Sequence, residues 1–180
     1  MVRWLAIVVW LFVVPAHADQ NDPRLEELFQ ALLETQDLVA GARVTREIWS
    51  IWREIDDGEA NTLMAKGILD MARERYAQAL TAFDKVVELA PGFAEGWNKR
   101  ATLFYLMGDF ASSADDVKQT LQLEPRHFGA LSGLGLLYME FNNYDAAREA
   151  FEDALRVNPH LTGALRNIEI IDQQLRGSAI

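Results

Sequence analysis

Residues 128–161 read FGALSGLGLLYMEFNNYDAAREAFEDALRVNPHL. The same phrase of 34 residues stands twice before it, as AEGWNKRATLFYLMGDFASSADDVKQTLQLEPRH over 94–127 and ANTLMAKGILDMARERYAQALTAFDKVVELAPGF over 60–93. Counted from Ala60, Ala94 and Phe128, position 32 is Pro91, Pro125 and Pro159. Position 8 is Gly67, Ala101 and Gly135; position 17 is Tyr76, Phe110 and Tyr144. Position 20 is Ala79, Ser113 and Ala147; position 24 is Phe83, Val117 and Phe151. Such columns mark an internal repeat whose units bury their apolar faces on one another.

Each column has a mechanical reason. Small residues at positions 8 and 20 let the first helix of a unit (helix A) and the second (helix B) approach closely, and the bulky residues at 17 and 24 fill the adjacent groove. Proline at 32 cannot continue helix B and biases the preceding residue away from helix. The pattern resembles the tetratricopeptide repeat family, whose unit is a helix–turn–helix of this length. The third copy carries it most fully, through Leu131, Leu134, Gly135, Tyr138, Tyr144, Ala147, Phe151, Ala154 and Pro159. The second keeps the family's Trp97 at position 4, and the first departs furthest, with Lys66 at position 7 and Asp70 at position 11. The resemblance implies an all-α fold: a right-handed helical solenoid of three repeats, 60–93, 94–127 and 128–161.

Residues 1–18 are read as a signal peptide outside that fold. Arg3 is the positive start, residues 4–14 are an apolar run of 11, and Pro15, Ala16, His17 and Ala18 end in an A-x-A pattern. Eleven apolar residues reach ~17 Å as helix, short of the ~30 Å hydrocarbon core. The expected cut lies between Ala18 and Asp19, with an uncleaved anchor as the alternative and no other stretch apolar enough to span a membrane. The chain would then be exported, to a periplasm or beyond. With no cysteine in the sequence, stability must come from stacking rather than disulfides. A net charge of −10 opposes nucleic acid and anionic lipid as main partners.

Residues 19–59 form a helical pair before the array. Asp22 and Pro23 signal a helix start, followed by Leu25, Leu28, Phe29, Leu32 and Leu33 at helical spacing. A second helix is expected over about 36–55, carrying Val39, Val44, Ile48, Trp49, Ile51, Trp52 and Ile55, and broken by Asp56, Asp57 and Gly58. The pair is expected to cap the first repeat, with Trp49 and Trp52 buried against it. At the other end, 162–180 reads as a capping helix with the stripe Leu165, Ile168, Ile171 and Leu175.

The family resemblance implies a concave groove lined by helix A positions 2, 5, 6, 9, 12 and 13. These are Asn61, Met64, Ala65, Ile68, Met71 and Ala72 in the first repeat, and Glu95, Asn98, Lys99, Thr102, Tyr105 and Leu106 in the second. The third contributes Gly129, Ser132, Gly133, Leu136, Met139 and Glu140. Chaperone-binding members clamp a C-terminal carboxylate with Lys, Asn and Arg, but Met64, Ile68, Lys99, Gly129 and Gly133 stand at the matching positions here, so that clamp is not expected. The candidate partner site is Asn98, Lys99, Thr102 and Tyr105 as polar contacts, beside Gly129, Ser132, Gly133 and Leu136. Gly129 and Gly133 either admit a peptide or serve close helix contact. Lys99 favours an acidic protein or peptide segment.

Other groups read as structural. Lys66 and Asp70, four apart, form a helix-surface pair. His127 and His160 lack any metal-ligand spacing, the paired aspartates point apart, and no nucleophile–base pair or nucleotide loop is visible. The expectation is therefore a non-enzymatic adaptor or scaffold with no cofactor and no metal. Self-association as a homodimer, with Trp49 and Trp52 at the seam, is the alternative.

Overall fold

The computed structural model describes residues 19–177. After a 3₁₀ turn at Asp19–Asn21 come α1 (Arg24–Glu34), α2 (Leu38–Trp52), α3 (Gly58–Ala72), α4 (Tyr76–Leu89) and α5 (Ala94–Met107). The chain continues as α6 (Phe110–Leu123), α7 (Phe128–Glu140), α8 (Tyr144–Val157) and α9 (Thr162–Gly177), with no strand among the described residues. The pairs α3–α4, α5–α6 and α7–α8 are the three repeats, and α9 packs on α8. The expected signal peptide lies outside the described residues. No helix among them is long and apolar enough to cross a membrane.

The repeats share their punctuation. Every helix B stops two residues before its proline, at Leu89, Leu123 and Val157. The caps Ala90, Glu124 and Asn158 turn to φ −131°, −138° and −135°, each still donating its N–H four residues back. Every A–B turn has a left-handed residue at position 15: Glu74 (φ 57°), Gly108 (φ 77°) and Asn142 (φ 55°). The next amide, of Arg75, Asp109 or Asn143, donates at 2.9 Å to the carbonyl five residues earlier, the Schellman closure.

Position 24 covers position 8. A Cβ built on Gly67 would lie 2.5 Å from the Phe83 ring, and one on Gly135 would lie 2.8 Å from the Phe151 ring. The middle repeat makes the opposite trade, with Ala101 packed against the smaller Val117. Its Ser113 is buried and donates its hydroxyl to the Ala101 carbonyl at 2.9 Å.

Aspartates start the hairpin helices. Asp22 accepts from the Arg24 amide at 2.7 Å, and Asp37 caps α2 through Val39 at 2.7 Å. Asp57 caps α3 through Ala60 at 2.8 Å, so the expected break at Asp56, Asp57 and Gly58 is also a helix start. The second helix is accordingly shorter than its apolar pattern suggested, ending at Trp52.

The helical pair does more than cap the first repeat. Only Ile55 joins the first-repeat core. Leu25, Phe29, Leu32, Ile48, Ile51 and Trp52 enclose Phe128, with Val157 and Leu161 beside them. The hairpin thus runs across three successive B–A corners. Gln20 donates to the Gly92 carbonyl at 2.6 Å, and Arg126 pairs with Glu26 at 3.0 Å and covers the Phe29 ring. Asn158 donates to the Thr45 hydroxyl at 3.0 Å, His160 Nε2 lies 3.2 Å from the Leu32 carbonyl, and its ring rests on Gly41.

The last helix is seated by Ala164, Ile168 and Ile171 against Phe151 and by an Arg148–Asp172 ion pair at 2.8 Å. Leu165 and Leu175 of the expected stripe are exposed instead, because the buried spacing runs 164, 168, 171.

Candidate functional site

Two of the three helices A, α5 and α7, place six of the eight candidate residues around one pocket. Asn98, Thr102, Tyr105, Gly129, Gly133 and Leu136 line it with Ala101, Ser113 and Val117, enclosing about 350 Å³ that is partly open to solvent. Its origin lies in the middle repeat's exchange. Where Phe83 and Phe151 fill the neighbouring repeats, Val117 leaves room that the Ala101 methyl does not recover.

The polar groups in the pocket are mostly committed. Asn98 is buried and donates to Glu95 Oε2 at 2.6 Å. Met64, the equivalent residue of the first repeat, is also buried, so position 5 turns inward in both. Thr102 donates to the Asn98 carbonyl at 2.9 Å and Tyr105 to Glu140 Oε1 at 2.6 Å. Partial burial, together with that carboxylate, pushes the Tyr105 phenol up to about 12. Gly133 is open, with Val117 3.8 Å from where its Cβ would stand. At Gly129 the space belongs to the chain itself: Trp49 of α2 comes within 2.6 Å of that point.

Lys99 and Ser132 lie off this pocket. Ser132 donates to the Phe128 carbonyl at 2.8 Å. Lys99 Nζ is 3.0 Å from Glu95 Oε1 and 5.4 Å from the Trp49 ring centre.

Glu95 is the hub that the sequence did not single out. It receives Asn98 and Lys99, and His127 Nε2 lies 3.2 Å from its Oε2. His127 caps α7, its Nδ1 accepting the Ala130 amide at 3.1 Å, which places the ring proton on Nε2, facing Glu95. Burial works to raise the Glu95 carboxyl, but His127 and Lys99 outweigh it and hold it below its ordinary 4.5. A buried Glu with a buried His 32 residues later leaves no periodic signal: position 2 read as groove-facing, and His127 only as a structural group.

The tryptophans close over this hub. Trp52 stacks on His127, and Trp49 meets both His127 and Phe128 edge-on. They therefore pack against the second and third repeats rather than the first: Trp49 is half-buried, and Trp52, 2% exposed, offers no surface for a dimer seam. Lys66 and Asp70 do pair, at 2.9 Å, and the buried Asp70 also takes Arg75. Among the described residues no group of three or more His, Asp or Glu is placed to hold a metal.

A second, wider cleft of about 840 Å³ opens between α2 and the first two helices A, lined by Arg46, Trp49, Arg53, Ile68, Glu95 and Lys99. The two arginines were not among the sequence candidates. Their spacing with Trp49, i, i+3 and i+7, was the available signal.

The tetratricopeptide repeat profile matches residues 64–117 and 98–162, together more than half of the chain. A TPR repeat-containing protein of Rhizobium etli is 32% identical over 155 residues, covering 86% of this chain and 76% of its own. The chain belongs to the tetratricopeptide repeat family. Another tetratricopeptide relative, the small glutamine-rich tetratricopeptide repeat-containing protein 2 of Mycosarcoma maydis, is 29% identical over 169 residues. That alignment covers 88% of this chain, which spans about half of the relative's length (48%). Among solved structures, the first TPR of Spaghetti (RPAP3), bound to the HSP90 peptide SRMEEVD, superposes with a TM-score of 0.64 at 21% identity. It covers 67% of this chain and 96% of that one, a likeness of fold.

Proposed function

We propose that the chain is a non-enzymatic adaptor that holds an extended segment of a partner protein along its concave face. The observation that carries this reading is the open pocket between α5, α6 and α7, which the chain's own hairpin reaches only at Gly129, through Trp49. Its lining is mainly apolar, with hydroxyl and amide groups at the rim, suiting one apolar side chain of a passing segment. A fold neighbour solved with a peptide bound supports segment binding as the mode. The segment's flanks are acidic, since Arg46, Arg53 and Lys99 line the neighbouring cleft of a chain whose net charge is −10. The signal-like residues 1–18 support action outside the cytoplasm, in a periplasm or envelope. Sequencing of the N-terminus from cells tests that: Asp19 as first residue supports export, and a retained Met1 overturns cleavage.

The pocket itself is tested by Ala101→Gly with Val117→Phe, which gives the middle repeat the Gly and Phe of its neighbours and fills the space. Melting should stay close to wild type, while crosslinking in cells should lose the partners that wild type captures. Unchanged capture would overturn the pocket as the anchor.

A further inference from the structure

One wall of the groove comes from outside the repeats. Arg46 and Trp49 lie on α2 and Arg53 is its C-cap; all three line the 840 Å³ cleft facing Ile68 of α3 and Lys99 of α5. Lys99 is neutralised by Glu95, whereas neither arginine makes an ion pair among the described residues. Arg53 Nε is tied to the Trp49 carbonyl at 2.9 Å, which fixes the fork while its terminal amino groups stay free of carboxylates. Two uncompensated guanidinium groups on one cleft stand out in a chain of net charge −10.

We propose that this cleft recognises an acidic protein segment in extended conformation. Seven residues of helix separate the arginines by ~10 Å along the axis. A segment extended in the polyproline II conformation covers that distance in about three residues at ~3.1 Å each and brings every third side chain back to the same face. Two Asp or Glu side chains three residues apart therefore meet Arg46 and Arg53, each as a forked guanidinium–carboxylate pair. An apolar residue between them rests on Trp49 and Ile68. Arginine and indole also suit single-stranded nucleic acid, but a long polyanion would run on over the acidic remainder of the surface, which a short segment avoids. This proposal rests on the groove reading above and adds the hairpin as part of the recognition surface, distinct from any clamp built on the repeats alone.

The test uses the full chain and fluorescein-labelled peptides, SGDLGDSG and its uncharged counterpart SGNLGNSG, followed by anisotropy. The acidic peptide should bind at least tenfold more tightly, and its affinity should fall with added salt. Arg46→Gln with Arg53→Gln should weaken it about tenfold without moving the melting temperature. No binding of the acidic peptide by wild type up to about 1 mM, or equal affinity in the double variant, overturns the proposal. So does tighter binding of an oligo-dT strand of similar length. Partner crosslinking separates the two readings. Loss with Ala101→Gly, Val117→Phe but not with the arginine variant keeps the pocket and overturns the cleft; the reverse pattern keeps the cleft and overturns the pocket.

Discussion

Trp52 lies flat on His127, the ring centres 4.2 Å apart and the planes 10° from parallel. One ring belongs to the hairpin and the other to the corner between repeats two and three, so this stack fastens the two parts of the molecule. Trp52→Ala should cost about 3–5 kcal/mol, the range for truncating a buried tryptophan. Hydrogen exchange should rise first in α1 and α2. Trp52→Phe should cost much less, because the smaller ring sheds an indole N–H that is buried without an acceptor among the described residues. Equal exchange in wild type and Trp52→Ala would show that the hairpin does not depend on the stack.

Glu95 should make stability acid-sensitive. Its folded pKa lies below the ordinary 4.5, so the carboxylate's contribution is fully present above pH 4.5 and is lost as pH falls through the lower folded value. Glu95→Gln should destabilise the chain by about 1–3 kcal/mol at neutral pH, where Lys99 loses its counter-charge and one of the two acceptor oxygens becomes a donor. The gap between wild type and variant should narrow steadily below pH 4.5 in urea titrations. A gap that is constant with pH would remove Glu95 from the acid response.

Gly129 and Gly133 are one helical turn apart and should respond with opposite signs. Alanine at 133 meets only Val117 at ordinary contact distance and should gain up to ~1 kcal/mol from helix propensity. Alanine at 129 drives into Trp49, itself wedged against Trp52, His127 and Phe128, and should lose about 1–3 kcal/mol. Paired thermal melts decide it.

Glu74 carries backbone strain that its equivalents do not. Gly108 takes the left-handed turn freely and Asn142 tolerates it, but a glutamate there costs about 1 kcal/mol or more. Glu74→Gly should therefore raise stability by about 1 kcal/mol, whereas Asn142→Gly should change it little. Chemical denaturation of the two variants measures the difference.

The repeats were legible because their packing is local and periodic. A small residue facing a bulkier apolar one sixteen residues later, followed by a Pro, leaves the same kind of trace in every unit. The left-handed turn at position 15 was not, since Glu74 is a residue that seldom adopts it. The hairpin was half legible. Spacing shows that Trp49 and Trp52 share a buried stripe, but not which surface buries it, and two repeats offered similar apolar corners. The pocket emerged from groove positions set by the proline frame. Its cause, Val117 in a phenylalanine column, stood in the sequence, whereas the Glu95–His127 contact depends on how two repeats are seated and has no one-dimensional mark.

The hydrogen bonds from Asn158 to Thr45 and from His160 to Leu32 join residues 113 and 128 positions apart. A stacked array without such links behaves as a row of semi-independent springs, free to open from either end. Here both ends are held by one clasp. Fraying of the last repeat must release the first helices as well, and folding must close a loop of more than a hundred residues before the clasp can latch. A partner that pries up the hairpin at one edge of the groove would therefore loosen the far edge in the same motion.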